Sequence, residues 1–194
     1  KQGVPLPPAA IVRRNTEEGT RLSNLIVETC RLPGGLKITP AIVFEDFRGA
    51  YVETYNEKLY RDAGISVHFV QDDFSFSSKN VLRGIHGDGG TYKLVTCPHG
   101  EFYLVVVNCD EGSDNFCQWV SFELSENNRQ QVLVPPKHGL AHLVTSEHAI
   151  FSYKQSTYYD RASQFTYRYD DARFAIDWPI GDPILSERDR QAAG

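Results

Sequence analysis

The chain has 194 residues, 41% hydrophobic and 23% charged, an ordinary composition for one globular domain with a core of normal size. Its net charge of −5, with no run of Lys or Arg, argues against a nucleic-acid partner, and no apolar stretch approaches the ~20 residues that span a bilayer. Cys30, Cys97, Cys109 and Cys117 form no Cys-x-x-Cys pair and fit neither a zinc site nor a disulfide framework, which points to a reducing, cytoplasmic setting.

The proline-rich opening residues lack the apolar core of a signal peptide, and residues 1–37 read as a partly extended N-terminal arm. From residue 38 to 194 a single domain is predicted, built from short strands separated by turn signals. Strands are expected at 50–55, 67–72, 80–85, 92–97, 101–109, 116–124, 130–134, 139–145 and 149–157, with a short helix over 56–63 and a helical turn within 183–194. Turns are marked at 98–100, 110–113, 125–128 and 135–139, where Pro, Gly, Asn and Asp gather. Many short strands with few helical periods predict an all-β antiparallel sandwich or barrel.

The stretch 80–95, Asn-Val-Leu-Arg-Gly-Ile-His-Gly-Asp-Gly-Gly-Thr-Tyr-Lys-Leu-Val, carries most of the chemistry. Strand periodicity puts Lys93 and Val95 on one face and Leu94 on the other. Singly, each candidate has an ordinary structural reading. His86, beside two glycines, suits a turn histidine bonded to backbone, and Arg83 and Lys93 suit solvated surface charges. His142 suits a buried histidine on a carbonyl, and Tyr153 a core tyrosine with its hydroxyl outward. Together, a guanidinium, an imidazole and an ammonium in a largely apolar β segment suit an anionic small molecule and a proton to be moved.

The motifs, in order, are Phe-Arg-Gly at 47–49, Glu-Thr-Tyr-Asn at 53–56, Phe-Val-Gln-Asp at 69–72, Asn-Val-Leu-Arg-Gly-Ile-His at 80–86 and Lys-Leu-Val at 93–95. They continue with Leu-Ser-Glu-Asn-Asn-Arg-Gln at 124–130, Ala-His at 141–142, Tyr-Lys at 153–154, Tyr-Tyr at 158–159, Ile-Asp-Trp-Pro at 176–179 and Leu-Ser-Glu-Arg-Asp at 185–189. In this ordered set the chain resembles the dTDP-4-dehydrorhamnose 3,5-epimerase family. The resemblance implies a jelly-roll cupin-type fold with a few short helices, a nucleotide-sugar substrate and a homodimer whose N-terminal strands are exchanged.

It also implies roles. His86 would be the base that removes a proton beside a C4 ketone, and Asp189 the carboxylate that orients it. Tyr153 would donate a proton from the opposite face, and Lys93 would stabilise the enolate. Arg83 and Arg48 suit the diphosphate; Glu53, Gln71 and His142 would line the pocket, with Tyr159 a second acid or a wall. No cofactor and no metal are expected, because where metal cupins carry His-x-His this chain has His86-Gly87-Asp88. Most of the family carries an aromatic residue and a Gln after the histidine. The Gly87-Asp88 form, followed by Thr-Tyr-Lys-Leu-Val-Thr-Cys, is more similar to a branch acting on GDP-4-keto-6-deoxy-heptoses. Gly87 is expected to open room beside the sugar. The expected activity is epimerisation at C3, at C5 or at both. The alternatives are a dTDP-4-keto-6-deoxyglucose 3,5-epimerase, a sugar 3,4-ketoisomerase, and a sugar-binding cupin without catalysis.

Overall fold

The computed structural model describes residues 10–14, 23–40 and 42–192. Its strands are β1 (Ala10–Arg14), β2 (Ser23–Thr29), β3 (Leu36–Thr39), β4 (Ile42–Asp46), β5 (Gly49–Glu53), β6 (Gln71–Ser78) and β7 (Leu82–Gly87). They continue with β8 (Lys93–His99), β9 (Glu101–Asn108), β10 (Trp119–Ser125), β11 (Gln131–Val134), β12 (His138–Val144), β13 (His148–Gln155) and β14 (Phe165–Thr166). Two short helices, α1 (Glu57–Asp62) and α2 (Glu187–Arg190), complete the elements that matter here.

Two antiparallel sheets form a sandwich, as expected of a cupin-type jelly roll. One has the order β1-β2-β3-β11-β8-β13-β6, the other β10-β9-β12-β7-β14; β4 and β5 pair only with each other. Side-chain alternation explains the layers. Val95 on β8, Leu104 and Val106 on β9 and Val144 on β12 meet between the sheets. Leu94 on β8, with Leu25, Ile38 and Leu133, packs on the opposite face under Leu59 and Tyr60 of α1. Val105 and Val107 on β9, with Ile85 and Ala141, face a third cluster closed by Phe174 and Trp178. Both faces of β8, β9 and β12 are therefore covered, which is why these strands read as nearly continuous apolar runs. Asn56 caps α1, its side chain accepting from the Leu59 N–H at 3.1 Å.

Three strand positions differ from the sequence reading. The expected strand at 67–72 lies instead at 71–78 as β6, an edge strand whose alternation is inverted: Phe74 and Phe76 are exposed while Asp73, Ser75 and Ser77 turn inward. Apolar periodicity therefore pointed away from it. Strands β1, β2 and β3 join the seven-stranded sheet, so much of the expected arm is sheet; residues 1–9 and 15–22 of it lie outside the described residues. Third, β4 and β14 match no expected strand. Strands β7 and β8 belong to different sheets, so the turn at 88–92 carries the chain across the sandwich. All four cysteines are free thiols. Among the described residues no helix is long and apolar enough to cross a membrane.

Candidate active site

The open end of the sandwich holds a cavity of about 500 Å³ between the two sheets. Its walls are supplied by β7 (Arg83, His86), β8 (Lys93), β12 (Leu140, His142), β13 (Phe151, Tyr153) and β6 (Gln71, Asp73, Ser75), with Tyr159, Gln164, Ser186, Arg188 and Asp189 from the later loops and α2. Eight of the ten residues expected from sequence are among them. Arg48 and Glu53 are not. They sit on the β4–β5 hairpin, where the Arg48 guanidinium is exposed and bound to Asp46 at 2.6 Å.

Folding brings His86 to Asp189 across 103 positions of sequence. The His86 Nε2 lies 2.6 Å from Asp189 Oδ1, and the Ser186 hydroxyl donates to Oδ2 at 2.8 Å. Ser186 also caps α2 by accepting from the Asp189 N–H. Burial pushes the Asp189 carboxyl up, but the His86 bond and charge, the Ser186 hydroxyl and nearby Arg188 outweigh it, and its pKa lies below the ordinary value. A carboxylate on Nε2 fixes the tautomer and leaves Nδ1 as the ring nitrogen free to take a proton.

Tyr153 stands on the opposite sheet. Burial, with the Asp73 carboxylate and Tyr159 beside it, pushes its phenol up to about 12, so it carries its proton at any physiological pH. Lys93 is buried on the same sheet, its ammonium 4.0 Å from Asp88 and 6.0 Å from the centre of the Tyr153 ring. Burial and the positive charge of Arg188 lower its pKa, while Asp88 opposes them. Arg83 is held by the Ser77 hydroxyl at 3.1 Å, and Arg188 by Thr166 Oγ1 at 2.7 Å. Three cations thus line one cavity, which suits a polyanion.

His142 is stacked on Phe151 with ring centroids 4.0 Å apart and planes 5° from parallel, and its Nε2 is buried without a hydrogen-bond partner. Burial, with Arg83 and His86 nearby, lowers its pKa to about 3, so it is a neutral wall. Gln71 is fixed by two bonds: its amide donates to Asp73 at 2.7 Å and its carbonyl accepts from the Tyr159 N–H at 2.8 Å.

The room expected beside Gly87 is already filled. A Cβ there would collide with the Phe165 ring and stand 2.5 Å from the His138 carbonyl oxygen. Neither Gly87 nor Phe165 lines the cavity: position 87 alternates away from the face that carries His86 and lies against β14, which pairs Phe165 with Gly87. Sequence reasoning also passed over Asp73, Ser75, Gln164, Ser186 and Arg188. Ser186 and Arg188 lay within the quoted motif at 185–189 and Gln164 opens a further matching run, Gln-Phe-Thr-Tyr at 164–167; Asp73 and Ser75 carry no local signal. Among the described residues no group of three or more His, Cys, Asp or Glu side chains is placed to hold a metal ion.

Taken together, the cavity holds an oriented imidazole on one wall and a protonated phenol with an ammonium on the other. Such a site can remove a proton from one face of a bound anion and return one to the other face. Residues 29–194 match the family model described as dTDP-4-dehydrorhamnose 3,5-epimerase. The enzyme of that name from Salmonella typhimurium strain LT2 is 39% identical over 175 residues, covering 87% of this chain and 94% of its own length. A solved structure of RmlC, the dTDP-6-deoxy-D-glucose-3,5-epimerase of Legionella pneumophila Philadelphia 1, in complex with dTDP-4-keto-L-rhamnose, is 37% identical. It superimposes with a TM-score of 0.81 over 87% of this chain and 91% of that one. ChmJ, a 3'-monoepimerase from Streptomyces bikiniensis solved with dTDP-quinovose, is 27% identical with a TM-score of 0.79 over 84% of each chain.

Proposed function

The chain belongs to the dTDP-4-dehydrorhamnose 3,5-epimerase family of isomerases, and from that premise we propose that it epimerises a dTDP-4-keto-6-deoxy sugar by proton transfer beside the C4 ketone. The observation that carries this reading is the placement of the His86–Asp189 pair and of Tyr153 on opposite sheets of one cavity.

His86 takes the proton from the carbon next to the ketone through Nδ1, and Asp189 stabilises the imidazolium that results. Negative charge moves onto the ketone oxygen, where the Lys93 ammonium meets it; a preorganised charge of this kind is worth ~3–4 kcal/mol of the barrier. Tyr153 then gives its proton to the other face, inverting the carbon. Arg83 binds diphosphate oxygens, with Arg188 beside it. Gln71, His142 and Tyr159 complete the sugar pocket. Arg48 and Glu53, held away from this cavity by their hairpin, reach a cavity of this type in a second copy of the chain, so the working unit is a homodimer.

The dTDP nucleotide follows the relatives, among them the Legionella protein with dTDP-4-keto-L-rhamnose. A GDP-4-keto-6-deoxy-heptose is the second reading, favoured by the Gly87-Asp88 form with the Thr-Tyr-Lys-Leu-Val-Thr-Cys that follows it and by Gln-Phe-Thr-Tyr at 164–167. ChmJ, a monoepimerase, makes reaction at C3 only a real alternative to reaction at both carbons.

Proton NMR in D₂O of dTDP- and GDP-4-keto-6-deoxy sugars tests the reading. Deuterium entering C3 and C5 of the dTDP sugar is the expected result; entry at C3 alone makes the enzyme a 3-epimerase. Faster exchange in the GDP sugar reverses the nucleotide assignment. A ketone that moves to C3 would establish a ketoisomerase, and binding without exchange would refute the assignment of an active epimerase.

A further inference from the structure

Asp88 stands at the start of the turn that carries the chain from β7 in one sheet to β8 in the other. Its two carboxylate oxygens do different things. Oδ1 accepts from the backbone N–H groups of Gly90 and Thr91 at 2.9 and 2.7 Å, and so closes the turn. That bond pair alone would explain an Asp here. Oδ2 takes no part in the turn. It accepts from the Gln164 side-chain amide at 2.9 Å, and it lies 4.0 Å from the Lys93 Nζ. The carboxylate and the ammonium are both buried, at 6% and 8% exposure, so their attraction is screened little by water.

Every other charge near Lys93 has a different duty or the same sign. Arg188 and Arg83 are cations, Asp189 and His86 are committed to each other, Asp73 accepts from the side-chain amides of Gln71 and Gln155 at 2.7 and 2.8 Å, and Tyr153 presents its ring. From this geometry we infer that Asp88 is the positioning residue of Lys93, aimed by Gln164, which keeps the ammonium charged and directed into the cavity. Asp88 does not line the cavity and touches no substrate; it acts through Lys93. The pKa directions agree: Asp88 is held low by its hydrogen bonds to Gly90, Thr91 and Gln164 in spite of its burial, and it is the group that offsets the burial of Lys93. The inference rests on the role given above to Lys93, and its test separates the two.

The experiment uses full-length protein labelled with [ε-13C]lysine, the Lys93 resonance being identified by its loss in Lys93→Arg. Its titration is followed alongside the pH profile of kcat in wild type, Asp88→Asn and Asp88→Glu. Asn keeps the Oδ1 acceptor of the turn and removes only the charge; Asp88→Ser, whose hydroxyl can cap the same turn, replaces it should the Asn protein not fold. An opposite charge beside an ionisable group displaces its protonation by roughly ten- to a thousandfold. The uncharged variant should therefore move the Lys93 titration to lower pH by at least about tenfold. The alkaline limb of kcat should move with it, KM should change less than kcat, and Glu should restore both curves toward wild type. A Lys93 titration that does not move overturns the inference and leaves the role of Lys93 untouched. A titration that moves while the alkaline limb stays put upholds the Asp88–Lys93 link and overturns the enolate role of Lys93.

Discussion

Acidification provides the sharpest physical test of the site, through His142. In the unfolded chain this imidazole has a pKa near ~6.5, whereas in the folded protein it stays neutral down to about 3. The folded value is the lower one, so between these limits unfolding takes up a proton and stability falls as pH falls. At pH 4.5 the unfolded imidazole is charged and the folded one is not. The two units between 6.5 and 4.5 correspond to a loss on the order of 3 kcal/mol relative to neutral pH. That is a large part of a typical stability of ~5–15 kcal/mol. The perturbation is His142→Gln, which retains a polar side chain but does not titrate. Urea unfolding, followed by the fluorescence of Trp119 and Trp178, is measured at pH 7 and pH 4.5 for both proteins at equal concentration. The variant has its own stability, but every other titrating group is common to both proteins and cancels in the double difference. Wild type should lose on the order of 3 kcal/mol more than the variant on acidification, roughly a 1 M larger displacement of the urea midpoint. Equal pH dependence in the two proteins would refute the burial argument.

Three further outcomes are expected. Asp189→Asn should lower kcat by ~10²–10³, since a buried charge-assisted bond of 2.6 Å to the base is lost, while KM barely changes; ¹⁵N NMR of His86 should show a changed tautomer balance, and a kcat within tenfold of wild type would contradict the dyad. Tyr153→Phe should retain deuterium exchange at the carbon that His86 deprotonates but slow inversion by ~10²–10⁴, because the only group removed is the acid on the far face; parallel loss of both signals would remove Tyr153 from that role. Gly84→Ala should destabilise the fold by ~1–3 kcal/mol, since φ is +118° and a Cβ would run into the Leu140 carbonyl and stand 2.7 Å from Ala141 Cα; an unchanged urea midpoint would contradict it.

The sequence made legible what repeats at short range. Strands β8, β9 and β13 were readable because apolar residues run through them, and the short helix expected over 56–63 is α1. The proposed catalytic set was available only as a family pattern, since His86 and Asp189 are 103 positions apart and neither signals the other. Strand β6 was misplaced because it turns its polar side inward to line a wet cavity, the reverse of the usual rule. The prediction about Gly87 failed for a related reason. Position 87 alternates away from His86 and the cavity, and the Phe165 ring lies over it from a two-residue strand with no periodicity to detect. The Asp88–Lys93 relation depends on one turn crossing between sheets, which no local pattern encodes.

The carboxylate that orients His86 is carried on a segment with few backbone bonds to the sandwich, its other ties including the side-chain bonds of Asp189 to His86 and of Arg188 to Thr166. Residue Ile184 joins by one parallel bridge to Val81, with two backbone bonds of 2.8 and 3.0 Å to Asn80 and Leu82, and α2 is a single turn. Such a strap can lift while the sheets beneath it remain intact, because regions with few backbone bonds open at much lower free energy than a core. On heating, turnover should therefore cease at a temperature where circular dichroism still reads a native sandwich, and return at once on cooling. The working range of this enzyme is then governed by the grip of one short strap, and its melting temperature by the sheets.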